Sequence, residues 1–97
     1  MRVGILGTGG VGRALGSRLI RLGEEVRLGS RSATNEAARA WVEENGDGAS
    51  QGTFADAAEY GEIVVNATSG GASLEALRSA GEERLGGKVL VDVANVI

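Results

Sequence analysis

Residues 3–12 read Val3-Gly4-Ile5-Leu6-Gly7-Thr8-Gly9-Gly10-Val11-Gly12, a short apolar run followed by a glycine-rich turn, and a helical pattern begins within the stretch. Gly7 allows a tight turn out of a strand, Gly9 lets the backbone approach a pyrophosphate, and Gly12 lets the helix lie against the strand. The free N–H groups at the helix start would hold the phosphates. Strand, turn and helix in this order predict a dinucleotide-binding site in preference to a ligand-free glycine turn.

The rest of the chain alternates short β-type runs with longer helical patterns. Strands are predicted at 2–6, 25–29, 48–52, 62–67 and 88–93, and helices at 10–22, 33–45, 54–60 and 74–80, with a further helical turn before Gly86. The third strand has poor strand composition and is required by the alternation alone. The continuous apolar character of the last strand predicts that both of its faces are covered.

Helix caps are predicted from the residue types that precede each helical pattern. Ser32 or Thr34 is expected to cap the second helix, and Ser73 is expected to cap the fourth. Thr53 followed by Asp56 three residues later predicts an N-cap with an acid in the first turn of the third helix.

Five strands alternating with helices predict an α/β fold, a Rossmann-type doubly wound parallel sheet with strand order 3-2-1-4-5 in a single domain. The switch point of this topology lies between strands one and four, above their carboxyl ends. Three loops then surround one crevice, at residues 7–12, 29–34 and 67–73. All three loops are rich in Gly, Ser and Thr, which supply backbone N–H and hydroxyl donors.

Composition narrows the classes of function. The chain has 97 residues and a net charge of −3, which argues against nucleic-acid binding because phosphate contacts need clustered Lys and Arg. It contains no cysteine and no histidine, so thiolate metal sites and Ser-His or Cys-His nucleophile pairs are excluded. The apolar runs are far shorter than the ~20 residues that span a bilayer, and no signal peptide is visible. A soluble, cytoplasmic protein without membrane contact is expected.

The end of strand two indicates which dinucleotide binds. An NAD or FAD site usually has an acid there, whereas this strand ends Leu28-Gly29-Ser30-Arg31-Ser32. The Arg31 guanidinium suits a phosphate dianion, which a carboxylate would repel. NADP is therefore predicted over NAD, and the alternative is that Arg31 lies on a solvated loop. The spacing of Gly12 and Gly16 also occurs in FAD-binding folds, but the lack of an acid at the end of strand two argues against FAD.

Three stretches resemble the NADP-binding domain of NADPH-dependent oxidoreductases that use the deazaflavin coenzyme F420. They are residues 1–15, Leu28-Gly29-Ser30-Arg31 and Val91-Asp92-Val93-Ala94-Asn95, and the resemblance runs through nearly all 97 residues. It implies that Thr8, Ser30 and Arg31 hold the 2′-phosphate. It also implies that residues 1–97 are the N-terminal, NADP-binding part of a longer enzyme, whose C-terminal segment helps to form the deazaflavin site and a homodimer.

The chain departs from the family pattern at three places. Family members often carry a basic residue where this chain has Asn35, although Arg39 lies one helical turn further on. After strand four they often have an Ala-Val-Pro loop, where this chain has Ala67-Thr68-Ser69-Gly70-Gly71. After strand five they often have Asn-Pro, where this chain has Asn95-Val96.

The resemblance implies hydride transfer between nicotinamide C4 and the carbon centre of a deazaflavin. Both cofactors carry this chemistry themselves, so no catalytic side chain and no metal are predicted. The predicted cofactor-binding residues are Gly7, Thr8, Gly9, Gly10, Val11, Gly12, Ser30, Arg31, Ser32, Asn35, Ala67, Thr68, Ser69 and Asn95. Two alternatives stay open: a non-catalytic NADP(H)-binding or regulatory module, and the cofactor half of another NADP-dependent dehydrogenase.

Overall fold

Five parallel strands form one sheet in a computed structural model that describes residues 1–69 and 72–93. The strands are β1 (Arg2–Leu6), β2 (Glu25–Ser30), β3 (Ala49–Thr53), β4 (Ile63–Asn66) and β5 (Val89–Asp92). The helices are α1 (Gly10–Arg21), α2 (Glu36–Asn45), α3 (Phe54–Tyr60), α4 (Ala72–Ala80) and α5 (Glu82–Leu85). The spatial order β3-β2-β1-β4-β5 confirms the predicted doubly wound sheet, including its weakest strand, β3.

The two faces of the sheet carry separate apolar cores because successive side chains of a strand point to opposite faces. One core contains Ile5, Val26 and Leu28 and is closed by Trp41 of α2 and by partly buried residues of α1. The other contains Leu6 and Val64 and is closed by α3 and α4, with Leu85 of α5 packed against it. The fold thus has helices on both faces, as a parallel sheet requires.

One face of the sheet has α3 lying directly on the strand backbones. A Cβ added at Gly4 would lie 2.0 Å from the carbonyl oxygen of Ala57, and one added at Gly29 would lie 2.8 Å from the Ala57 Cβ. These glycines therefore fix how closely α3 approaches β1 and β2, and the start of α3 lies near the carboxyl end of the sheet.

The structure corrects two of the predicted caps. Asn35, not Ser32 or Thr34, caps α2, because its side-chain oxygen accepts a hydrogen bond from the Ala38 N–H at 2.9 Å. The Ser32 and Thr34 hydroxyls bond instead to each other at 2.8 Å. Ser73 lies inside α4, which begins at Ala72, and its hydroxyl accepts a hydrogen bond from the Asn66 amide at 2.6 Å.

The cap of α3 is confirmed as a full capping box. The Asp56 N–H donates to the Thr53 hydroxyl at 3.1 Å, and the Thr53 N–H donates to the Asp56 carboxylate at 2.9 Å. Two hydrogen bonds lower the pKa of Asp56. The larger effect comes from the bond with the Thr53 backbone, and the smaller from the bond with the Thr53 side chain. Deprotonated Asp56 therefore stabilises the fold.

The prediction that the last strand is covered on both faces is wrong for the described residues. Val89, Leu90 and Val91 of β5 are 61%, 45% and 40% exposed. The strand pairs with β4 at the sheet edge, so its apolar side chains complete the sheet pattern without being buried by the described helices. Within residues 1–69 and 72–93, no helix combines the length and the apolar character that crossing a bilayer demands.

Replacing Gly4 with Ala is expected to lower the free energy of unfolding by about 2 kcal/mol or more, because the new methyl group overlaps helix backbone that cannot rotate away. Urea unfolding followed by Trp41 fluorescence measures the change. Gly10→Ala is the control, since a Cβ there meets nothing within 4 Å. Equal stabilities of the two variants would contradict the proposed packing of α3.

Asp56→Asn is expected to lower the free energy of unfolding at pH 7 by about 0.5 kcal/mol, the lower end for a helix cap at an exposed position. Because folding depresses the pKa of Asp56, its stabilisation is present above the ordinary value of 3.8 and is lost as the pH falls through the lower folded-state pKa. The deficit of the variant should therefore disappear at acid pH in urea titrations. Asp47→Asn removes the same charge outside the capping box and should show no such trend.

Candidate functional site

A cavity of about 470 Å³ opens at the carboxyl ends of β1, β2 and β4, within the usual size range of small-molecule sites. It is lined by Gly7, Thr8, Gly9, Gly10, Val11, Ser30, Arg31, Ser32, Asn35, Phe54, Ala67, Thr68, Ser69 and Ala72. Twelve of the fourteen residues predicted to bind the cofactor are in this lining. The sequence prediction missed Phe54 and Ala72.

The two remaining predicted residues have different outcomes. Gly12 does not line the cavity but lies buried in α1, where an added Cβ would be 2.9 Å from the Gly7 carbonyl oxygen and 3.5 Å from Ile5. This position fits its predicted role in bringing the helix onto the strand. Asn95 lies outside the described residues.

The β1–α1 turn presents backbone to the cavity. Gly7 adopts a φ of 121°, which is accessible to glycine and strained for other residues, and its N–H donates to the Gly29 carbonyl at 2.8 Å. A Cβ added at Gly9 or Gly10 would meet nothing within 4 Å, so the space above the turn is open. In the described part of the chain, no side chain caps the start of α1. Its N–H groups and the positive end of its dipole are therefore suited to an anion.

The β2–α2 loop is held in a compact turn by its own hydroxyl groups. The buried Ser30 hydroxyl donates to the Ser32 carbonyl at 2.6 Å, and the Thr34 N–H donates to the Ser32 hydroxyl at 3.1 Å. Asn35 then begins α2. This arrangement fixes the backbone on either side of Arg31 and leaves the Arg31 side chain to extend from the loop.

Arg31 forms a bidentate ion pair that was not predicted from the sequence. Its Nε donates to Glu75 Oε1 and its Nη2 donates to Glu75 Oε2, both at 2.7 Å. The two side chains are 69% and 48% exposed, so the pair lies at the surface. The hydrogen bond and the charge of Glu75 raise the pKa of Arg31 further above its usual value. The Arg31 guanidinium is thus charged and engaged with a carboxylate of α4.

A buried asparagine shapes the β4–α4 side of the cavity. Asn66 is fully buried; its amide donates to the Ser73 hydroxyl, and its side-chain oxygen accepts from the Thr68 hydroxyl at 2.7 Å and the Thr68 N–H at 3.3 Å. Asn66 therefore connects the end of β4, the loop and α4. A polar residue closing the apolar run Ile63-Val64-Val65 is the sequence signal that could have identified it.

Between residues 1 and 93, leaving out 70 and 71, no cluster of three or more His, Cys, Asp or Glu side chains is arranged to hold a metal ion. The cavity lining combines glycine backbone, small hydroxyl side chains, the Asn35 amide and the Arg31 guanidinium with apolar side chains such as Val11 and Phe54.

The family model described as NADP oxidoreductase, coenzyme F420-dependent, matches residues 2–96. The chain belongs to this family. The match confirms the resemblance drawn from the sequence. No curated protein sequence matches the chain significantly.

A solved structure of this oxidoreductase type has the same fold. It is a crystal structure of a protein from Arthrobacter sp. FB24, provisionally named an F420-dependent NADP reductase, with 42% sequence identity and a TM-score of 0.84. The match covers 96% of this chain and 45% of that chain, so the present chain spans about half the length of this relative.

Replacing Asn66 with Ala is expected to lower the free energy of unfolding by about 1–3 kcal/mol, because the buried Thr68 and the partly buried Ser73 lose their hydrogen bonds to its side chain. Urea unfolding measures the loss. The matched control is Asn45→Ala. The Asn45 amide donates a hydrogen bond of 2.8 Å to the Trp41 carbonyl, and neither residue lines the cavity. An Asn66 variant no less stable than this control would contradict the connecting role of Asn66.

Proposed function

We propose that the chain binds NADP(H) in the cavity at the carboxyl ends of β1, β2 and β4. The supporting observation is that an uncapped helix start and an arginine-bearing loop border the same cavity. The proposed binding residues are the cavity-lining residues predicted from the sequence, with Gly12 supporting the turn from beneath. The cofactor's pyrophosphate would lie at the start of α1, and its 2′-phosphate would lie at Arg31.

The residues present fit such a cofactor. The open space above Gly9 and Gly10 lets a phosphate approach backbone N–H groups without a side chain in the way. Strand β2 ends in Gly29 and Ser30, without the carboxylate that would accept a ribose 2′-hydroxyl. Arg31 supplies planar N–H donors matched to a phosphate dianion. These features favour NADP over NAD.

The proposed reaction is hydride transfer between NADPH and a deazaflavin coenzyme. The cofactors supply the hydride chemistry, and the protein binds them, orients them and excludes water. Ala67, Thr68 and Ser69 would position the nicotinamide end, because the loop they form is held by the buried Asn66. No side chain of the described residues is proposed as a proton donor or nucleophile.

The match covers only 45% of the Arthrobacter protein, so the rest of the proposal applies to a protein of that length. We propose that residues 1–97 form its NADP-binding domain and that the deazaflavin site and a homodimer contact involve residues outside this domain. A cytoplasmic location also stays a prediction from the sequence.

The direct test is to titrate the chain with NADPH and with NADH, following nucleotide fluorescence. NADPH should bind at least about tenfold more tightly, because its extra phosphate gains charge-assisted contacts. Arg31→Ala should weaken NADPH binding by about ten- to a hundredfold and leave NADH binding nearly unchanged.

Arg21→Ala is the matched control, because it removes the same charge at the last turn of α1, at the opposite end of that helix from the cavity. It should alter neither affinity by more than about twofold. NADH binding as tight as NADPH binding, or equal losses for both cofactors in Arg31→Ala, would refute the assignment of Arg31 to the 2′-phosphate.

A further inference from the structure

Arg31 stands between two cavities, and Glu75 borders only one of them. The main cavity includes Arg31 but not Glu75 in its lining. A second cavity of about 220 Å³ lies beside it and is lined by Arg31, Glu75 and residues of β2, β3, α3 and α4. The carboxylate that binds Arg31 is therefore outside the proposed cofactor site and acts on that site through the guanidinium.

The geometry of the ion pair uses the donors that a phosphate would need. Nε and Nη2 of Arg31 each donate to one oxygen of Glu75 at 2.7 Å, the forked arrangement that arginine also forms with a phosphate group. A 2′-phosphate bound through the same edge of the guanidinium would have to replace the Glu75 carboxylate. Two negatively charged groups cannot both occupy that edge.

Glu75 also has a second stabilising environment when it is released from Arg31. It lies in the first turn of α4, where the helix dipole favours a negative charge, and its side chain is about half exposed to water. The carboxylate can thus leave Arg31 without becoming a buried unpaired charge. Because the pair is exposed, its strength is modest, and a phosphate dianion can displace it.

We propose that Glu75 is a specificity-determining residue that competes with the cofactor's 2′-phosphate for Arg31. This inference rests on the proposed NADP(H) function and deepens it. Glu75 holds the guanidinium across the β2–α2 loop and α4 in the absence of the phosphate. It thereby limits how strongly the site prefers NADP(H) over NAD(H), although it does not line the cofactor cavity.

The test is Glu75→Gln, which keeps the side-chain shape and removes the charge. NADPH should bind about threefold more tightly or better, because neither the Arg31–Glu75 ion pair nor the repulsion between the Glu75 carboxylate and the phosphate opposes binding in this variant. The affinity for NADH, which lacks the 2′-phosphate, should change by less than about 1.5-fold, because loss of an exposed ion pair has only a small effect. The NADPH gain should shrink at about 0.5 M salt, which screens exposed charges.

The matched control is Glu83→Gln, which makes the same change of net charge in α5. It should not change the preference for NADPH. In the Arg31→Ala background, Glu75→Gln should have a smaller effect on NADPH binding than in the wild type, because the two residues act through one contact. Thermal unfolding checks that each variant is folded.

The outcomes separate the two proposals. If the wild-type chain binds NADPH no better than NADH, the proposed function fails. If the wild type prefers NADPH but Glu75→Gln leaves NADPH binding unchanged or weaker, the competition is refuted and Glu75 instead orients Arg31 or has no role. An equal gain for NADH and NADPH, or the same gain in Glu83→Gln, also refutes it.

Discussion

The site depends on the close approach of three strand ends at one edge of the sheet. Leu6 of β1 is level with Gly29 of β2 and Asn66 of β4, so the loops that follow all three strands begin at the same height. Gly7 then turns the chain with a φ of 121°, and a Cβ there would lie 2.9 Å from the Ala67 carbonyl oxygen. A side chain at this point would separate the loops that enclose the cavity.

Local patterns were sufficient to predict the sheet because a doubly wound topology leaves little choice once strands and helices alternate. The same alternation located β3, whose residues have little strand propensity. Helix caps were harder to predict, since Ser32, Thr34 and Asn35 are all good cap residues. In the structure the Ser32 and Thr34 hydroxyls bond to each other, and Asn35 caps the helix. Residue preferences for the N-cap position do not predict this contact.

The features missed from the sequence depend on which residues the fold brings together and which it leaves exposed. Glu75 is 44 positions from Arg31, and only the packing of α4 on the sheet places the two side chains together. Ser73 resembled a cap, but the buried Asn66 recruits its hydroxyl. The apolar run in β5 resembled a covered strand, yet its side chains stay exposed among the described residues. For Glu75 and Ser73 the residue type was informative, and the fold determined the partner.

If the cavity binds NADP(H) as proposed, its backbone and its side chains would recognise different parts of the cofactor. The Gly7 turn and the start of α1 offer donors held by the sheet, so their attraction for a pyrophosphate needs little ordering upon binding. In the proposed function, discrimination at the ribose would depend instead on Arg31, an exposed side chain with a carboxylate partner, in a chain of net charge −3. Salt strongly screens an ion pair between exposed side chains. It has a smaller effect on hydrogen bonds donated by the fixed backbone of the Gly7 turn. Cofactor preference should therefore respond to ionic strength more than the binding of the shared pyrophosphate does.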